Sequence, residues 1–264
     1  MWALVTAGGT EGDGERLCAG AGNLPKVLLP VAGRPMVQWV LDAVAGTPAV
    51  HAVMVAGFAT PPADSGGGGL HSPLPVHYLA DAGDLTANLV GGMRQIAGLD
   101  PLADWVLVVS ADVPAVQPAH LEWLAEQVST TAPGTVDAYY GIVRRQVMDA
   151  RFPGAGRTYA RLRGVEACGA DVHGLRMSAV LGHERTWQRM LDARKNRFRQ
   201  ARLIGFGTLV LGALGRLTLA DMEQRASRAF GFRCRVLEWP WAETAMDADN
   251  REQYELLDID LRSR

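Results

Sequence analysis

Three short segments hold the residue types best suited to gripping phosphate and charge. The first is Leu4-Val5-Thr6-Ala7-Gly8-Gly9, followed by Arg16 and then, after Leu24-Pro25, by Lys26. Glycines placed directly after an apolar strand let backbone N–H groups approach an anion closely, and successive N–H groups form a nest for it. A glycine pair alone marks an ordinary turn; joined to an arginine and a Pro-Lys step it is far more specific. Of the 26 basic residues only Lys26 and Lys195 are lysines. In a chain so biased towards arginine, a lysine marks a place that needs a compact ammonium rather than a planar guanidinium fork. The second segment is Val108-Val109-Ser110-Ala111-Asp112-Val113-Pro114, and the third is Met246-Asp247-Ala248-Asp249-Asn250-Arg251-Glu252-Gln253-Tyr254. In both, aspartates stand between an apolar strand and a helix, a place that suits a helix N-cap as well as a ligand-binding carboxylate.

The elements that must position these segments alternate between strand and helix. Short apolar runs at Trp2 to Thr6, His51 to Ala56, Val76 to Leu79, Trp105 to Val109, Val136 to Val143 and Arg233 to Glu238 read as strands, several apolar enough for a buried parallel sheet. Helical spacing runs from Pro35 to about Ala45, Leu85 to Ala97, Pro118 to about Val128, Glu184 to about Phe198 and Asn250 to about Leu261. Thr218 with Asp221 makes a capping pair for a further helix that Gly231 ends. Ala7 to Leu24 and Ala59 to Pro75 read as loops, the second carrying Gly66 to Gly69 without the ending of a phosphate loop. Arg144 to Gly182 is the least regular stretch, with strand-like pieces around Tyr159 and Val172. No repeat or linker divides the chain. The expectation is one α/β domain over residues 1–264: a single open, mostly parallel (mixed) sheet with helices on both faces. In such a sheet, ligands bind beyond the carboxyl ends of the strands, where all three segments fall.

Composition narrows the function classes. The 264 residues are 48% hydrophobic and 20% charged, with a formal net charge of −2. Global charge therefore favours neither a nucleic-acid binder nor a membrane-surface protein. Met1 and Trp2 lead straight into a strand, so no secretory signal is expected, and the apolar stretch from Leu203 to Gly215 is too short for a membrane span. Three scattered cysteines and six histidines without HxH or HExxH spacing speak against a disulfide framework and a zinc site, with a reducing cytoplasm as the default. Charge is segregated: from Arg144 to Arg235 there are 19 basic and 7 acidic residues, against 7 and 21 elsewhere. Solvated arginine-rich helix faces account for most of this; the sharper reading is a field that attracts an anionic substrate.

The AGG step, the later arginine and LPKVLLPVAGRPM (Leu24 to Met36) together resemble the start of the NTP transferase superfamily, whose nucleotide-binding domain is glycosyltransferase-A-like. Its members include sugar-1-phosphate nucleotidyltransferases, molybdenum-cofactor (MobA-like) guanylyl- and cytidylyltransferases and methylerythritol-phosphate cytidylyltransferases. The resemblance covers roughly the first 125 and the last 25 residues. It implies a Rossmann-like nucleotidyltransferase fold in which Ala7, Gly8 and Gly9 wrap the NTP phosphates while Arg16 and Lys26 neutralise them. Arg16 stands eight residues after Gly8, farther than the family's arginine, behind an insertion with Glu11, Asp13 and Glu15. The resemblance implies Asp112, in the strand-end Asp-x-Pro, as one Mg²⁺ ligand, and the later segment resembles the family's "DVDTPEDL" or "NNRLQL" patterns, implying Asp249 as the second, with Asp247 able to replace or orient it. Mg²⁺ usually takes only one or two protein carboxylates besides substrate phosphate. Thr86 and Asn88 fall where the family contacts base or ribose, though helix capping explains them equally well. Arg157, Asp171 and Lys195 are candidate acceptor contacts, in a specificity region over residues 144–205 that follows an NTP-binding half over 1–130.

The expected activity is transfer of an NMP from an NTP to a small, anionic acceptor with release of pyrophosphate, Mg²⁺ serving as cofactor and Lys26, Asp112 and Asp249 as the catalytic set. The competing expectation is a nucleotide-binding regulatory protein of the same fold, which has no need of both carboxylates. Partners are small molecules, with neither nucleic acid nor membrane.

Overall fold

The computed structural model describes residues 1–8, 17, 24–62, 69–194 and 217–264. In chain order its elements are β1 (Trp2–Thr6), β2 (Pro30–Val31), β3 (Arg34–Pro35), α1 (Met36–Ala45), β4 (Ala52–Gly57), β5 (Val76–Ala80), α2 (Leu85–Leu99), β6 (Trp105–Ser110), α3 (Pro118–Ser129) and β7 (Ala138–Arg144). There follow α4 (Arg145–Arg151), β8 (Ala160–Leu162), β9 (Val165–Gly169), β10 (Val172–Arg176), α5 (Met177–Leu181), α6 (Glu184–Arg194), α7 (Leu219–Phe230), β11 (Cys234–Trp239) and α8 (Arg251–Arg262).

Nine strands form one mixed sheet in the order β5-β4-β1-β6-β10-β7-β9-β8, with β11 also paired to β7. The β1–β4, β1–β6, β4–β5 and β7–β11 pairs are parallel, and those involving β9 and β10 are antiparallel. Seven strands therefore share one direction and only β9 and β10 oppose it, the single, mostly parallel sheet expected. β1 lies between β4 and β6 with every residue buried. Its unbroken apolar run follows from having a layer on each face. One core cluster joins Val40 and Leu41 of α1, Leu121 and Leu124 of α3 and Leu257 of α8 to one face. The other joins Leu89, Met93 and Ile96 of α2 to the opposite face. Among the described residues no helix is long and apolar enough to cross a membrane.

The irregular stretch is more ordered than its sequence suggests. α4 starts where β7 ends, and β8 pairs with β9 through a two-residue turn, Arg163-Gly164, with Gly164 at φ +77°. The strand expected near Tyr159 begins one residue later, at Ala160. β8 and β9 carry no clean alternation of apolar and polar residues, so only the turn glycine announces them. β9 and β10 both run against β7, interrupted at Ala170-Asp171. There the N–H of Ala170 donates to Gly141 (2.9 Å), that of Asp171 to Thr244 (2.8 Å), and that of Ser110 to the Asp171 carbonyl (2.9 Å). This break carries Asp171 to the carboxyl end of β6. The capping pair Thr218–Asp221 and the left-handed Gly231 close α7 as expected.

At the carboxyl end of β1 the N–H of Ala7 donates to Ala56 at 2.7 Å, which brings the following backbone against Gly57. Gly57 has φ +146°, and a Cβ there would lie 2.4 Å from the Ala7 carbonyl carbon and 2.6 Å from the Gly8 nitrogen. A Gly57→Ala substitution must push this loop away or strain β4, and should cost about 1–3 kcal/mol. Chemical unfolding of the variant measures this, and a wild-type midpoint would show that the close approach carries no weight.

Candidate active site

The three segments meet where β1 and β6 end. A cavity of about 280 Å³ there is lined by Thr6, Ala7, Gly8, Lys26, Ser110, Asp112 and Asp249, among others. Lys26 opens a 3₁₀ turn, Lys26–Leu28, held down by the buried Val27 and Leu28. Asp112 follows β6 at once: the N–H of Ala111 donates to Thr6 (3.0 Å), and the Ser110 hydroxyl donates to Asp112 Oδ1 (2.6 Å). Asp249 arrives by a longer route. Trp239 at the end of β11 and the following Trp241 pack on Trp123 of α3, and Trp241 also stacks on His120. A fully buried 3₁₀ turn, Ala242–Ala245, then leads to Met246 and Asp247, with Glu243 neutralised by Arg151 (2.8 Å). The N–H of Ala248 donates to the Asp112 carbonyl (3.2 Å), stitching the late segment to the early one.

Electrostatics dominates this corner. The Lys26 ammonium pairs with Asp112 and lies 3.1 Å from Asp249 Oδ1. Burial alone would lower its pKa, but the two carboxylates outweigh burial and raise it above the usual 10.5. Asp112, Asp247 and Asp249 each offer a carboxylate oxygen within 4.8 Å of the others. An all-oxygen, carboxylate-rich donor set suits a hard divalent cation such as Mg²⁺, so the residues present fit that ion. Arg157 pairs with Asp247 and reaches within 3.9 Å of Asp171. Burial, then the nearby charge of Asp112, pushes the Asp171 carboxyl up to about 7.

The remaining candidates divide. Ala7 and Gly8 line the cavity. Thr86 and Asn88 are buried in α2, which is capped by neither: Asp84 accepts the N–H of Ala87 (2.7 Å). Asn88 instead braces the turn before the helix, accepting from the Ala82 N–H and donating to Asp81, both at 2.8 Å. A Cβ on Gly8 would come 2.4 Å from its amide nitrogen, so Asn88 backs the glycine step. Arg157 is turned inwards, its side chain only 12% exposed. Its glycine-flanked turn aims it at Asp247 and not at the surface. Gly9, Arg16 and Lys195 lie outside the described residues. Several arginines of the basic stretch, Arg144, Arg145, Arg151, Arg161, Arg176 and Arg233, each face a carboxylate.

One residue escaped sequence reasoning. Gln253, 2% exposed, accepts the N–H of Asp249 on Oε1 and donates from Nε2 to the Ala155 carbonyl, both at 2.9 Å. Its signal was present: Asn250-x-x-Gln253 has capping-box spacing, and Asn250 does accept the Gln253 N–H (2.9 Å). The glutamine side chain, however, reaches one residue beyond the cap.

Residues 3–201 match the MobA-like NTP transferase domain. A hypothetical transferase from Thermus thermophilus superposes with a TM-score of 0.79 at 33% identity, covering 96% of this chain and 98% of its own. CMP:2-keto-3-deoxy-manno-octonic acid synthetase complexed with CTP gives 0.59 at 15% identity, over 99% of this chain and 98% of that one. 2-C-methyl-D-erythritol 4-phosphate cytidylyltransferase, also from Thermus thermophilus, gives 0.54 at 16%, over 98% of both. At such identities these two share the fold and no more. No curated protein matches the sequence.

Two residues beyond Asp171, burial pushes the His173 imidazole from 6.5 down to about 4. Its Nδ1 accepts the N–H of Gly141 (3.1 Å), a bond that a ring protonated there cannot make. The folded pKa lies below the unfolded one, so the unfolded chain takes up the proton first. Stability should fall as pH drops from about 6.5 towards 4. Thermal melts across that window should show a shallower acid limb for His173→Gln; an identical limb would assign the effect elsewhere.

Proposed function

The chain belongs to the MobA-like NTP transferase family, and from that premise we propose that it transfers a nucleoside monophosphate from a nucleoside triphosphate to a small acceptor, releasing pyrophosphate. The observation that carries this reading is the meeting of the Lys26 ammonium with Asp112 and Asp249 at the carboxyl ends of β1 and β6. A phosphate chain needs both kinds of group: a fixed cation for its oxygens, and carboxylates to hold the metal that accompanies it.

The acceptor oxygen attacks the α-phosphorus in line, forming the new O–P bond as the bond to the bridging oxygen of the β-phosphate breaks. The departing pyrophosphate keeps that electron pair. Positioning and charge neutralisation supply most of the rate. The backbone at Ala7 and Gly8 approaches the phosphates, with Asn88 behind the glycine excluding any side chain there. Lys26 exchanges its carboxylate contacts for the leaving phosphates. Asp112 and Asp249 would hold a Mg²⁺ ion, which when bound would neutralise phosphate charge and make the α-phosphorus more electrophilic. Arg157, paired with Asp247, is not a free contact for the acceptor.

The test is pyrophosphate release on incubation with each of the four NTPs, Mg²⁺ and a panel of phosphorylated and hydroxylated metabolites. Release with no NTP under any condition would refute the reading. Asp112→Asn and Asp249→Asn should each lower turnover by about a hundredfold or more without loss of fold, since each removes a ligand charge at nearly constant volume. Lys26→Arg keeps the charge but replaces a point donor with a fork among crowded oxygens, so NTP affinity and turnover should both fall. Wild-type turnover in Lys26→Arg would remove the role given to that lysine.

A further inference from the structure

Two aspartates one residue apart, Asp247 and Asp249, stand beside the cavity, and their spacing does not say which meets the cation. We infer that Arg157 and Gln253 are positioning residues that make this choice, holding Asp247 back and presenting Asp249. The inference rests on the nucleotidyl-transfer reading and adds to it a division of labour between the aspartates.

The segment between them is fixed. Ala248 is fully buried and its N–H is tied to the Asp112 carbonyl, so the two carboxylates cannot exchange places by sliding. Their surroundings differ sharply. The Asp247 side chain is 10% exposed and paired with Arg157, while that of Asp249 is 64% exposed and turned to Lys26. Gln253 sets both arrangements at once. Its Oε1 receives the Asp249 N–H, and its Nε2 holds the carbonyl of Ala155, two residues before Arg157. That turn is shaped by Gly154 (φ +79°) and Gly156 (φ +63°), so one buried amide fixes the aspartate offered and the guanidinium that restrains its neighbour.

Charge gives the arrangement its reason. A buried guanidinium beside a cation site repels the cation unless it is neutralised, and Asp247 neutralises it. Asp112 and Asp249 then carry two negative charges, the number that balances a divalent ion, and Lys26 is left for phosphate. Without Arg157, Asp247 would be a buried, unpaired carboxylate and the strongest competitor for the ion.

The experiment measures Mn²⁺ binding to the full chain by electron paramagnetic resonance, with a non-hydrolysable NTP analogue present, alongside a melting temperature for each variant. Asp249→Asn should weaken Mn²⁺ binding about tenfold or more, whereas Asp247→Asn should weaken it by only about threefold to fivefold, through the Arg157 charge it leaves unneutralised beside the ion. Arg157→Gln should tighten it, as Asp247 becomes available, and the double variant Arg157→Gln/Asp247→Asn should return to within about threefold of wild type. Gln253→Glu keeps the acceptor for Asp249 but sets an oxygen against the Ala155 carbonyl, so it should shift Mn²⁺ binding in the same direction as Arg157→Gln. A tenfold loss in Asp247→Asn, or a double variant that stays far from wild type, would overturn the inference. So would unchanged binding in both Arg157→Gln and Gln253→Glu. If Arg157→Gln fails to fold, Asp247→Asn and Gln253→Glu decide the matter alone. Wild-type protein with no Mn²⁺-dependent nucleotide binding would sink the nucleotidyl-transfer reading itself, a result separate from any difference among variants.

Discussion

The contact between the Lys26 ammonium and Asp249, 223 positions later in the chain, sets the terms for the rest of the molecule. Four carboxylates, from Asp112, Asp171, Asp247 and Asp249, gather at one end of the sheet. Like charges in a partly dehydrated corner are tolerated only with counter-charges in fixed places. Lys26 and Arg157 supply two, which leaves the corner with negative charge in excess. The covered central strand, the 3₁₀ turn under Lys26 and the tryptophan cluster under residues 242–245 all bring charges from distant segments to within a few ångströms of one another.

The sequence made the early half of this arrangement readable. An apolar strand ending in glycines, a solitary lysine after proline and an aspartate at the end of the most apolar strand each carry a local signature. Asp247 and Asp249 could not be told apart in the same way, because what separates them is Arg157, a partner some ninety residues away. Gln253 was hidden behind an ordinary capping pattern. Several arginines of the basic stretch likewise find their partners far away in the chain, such as Glu238 for Arg144 and Asp104 for Arg176. Strand β9 was missed because pairing with β7, and not its own alternation, makes it a strand.

The family match ends at residue 201, whereas Asp247, Asp249 and Gln253 come later. The matched region thus contains the lysine and the first carboxylate, and the later segment completes the cluster. The 33%-identical Thermus thermophilus transferase covers both parts, which makes it the natural place to compare that segment residue by residue.

Helix α8 does more than follow Asp249. Its Tyr254 hydroxyl donates to the Pro30 carbonyl (2.6 Å), and its Asp258 accepts the Ala32 N–H (2.7 Å), clamping the β2–β3 ribbon just after Lys26. This ties the site to the order in which the polypeptide is made. A nascent chain that has already folded β1, β4 and β6 still has an unsecured lysine turn and lacks Asp247 and Asp249 of the carboxylate cluster. The cluster is therefore complete only once the residues around 249–258 have emerged and packed against the ribbon that follows Lys26.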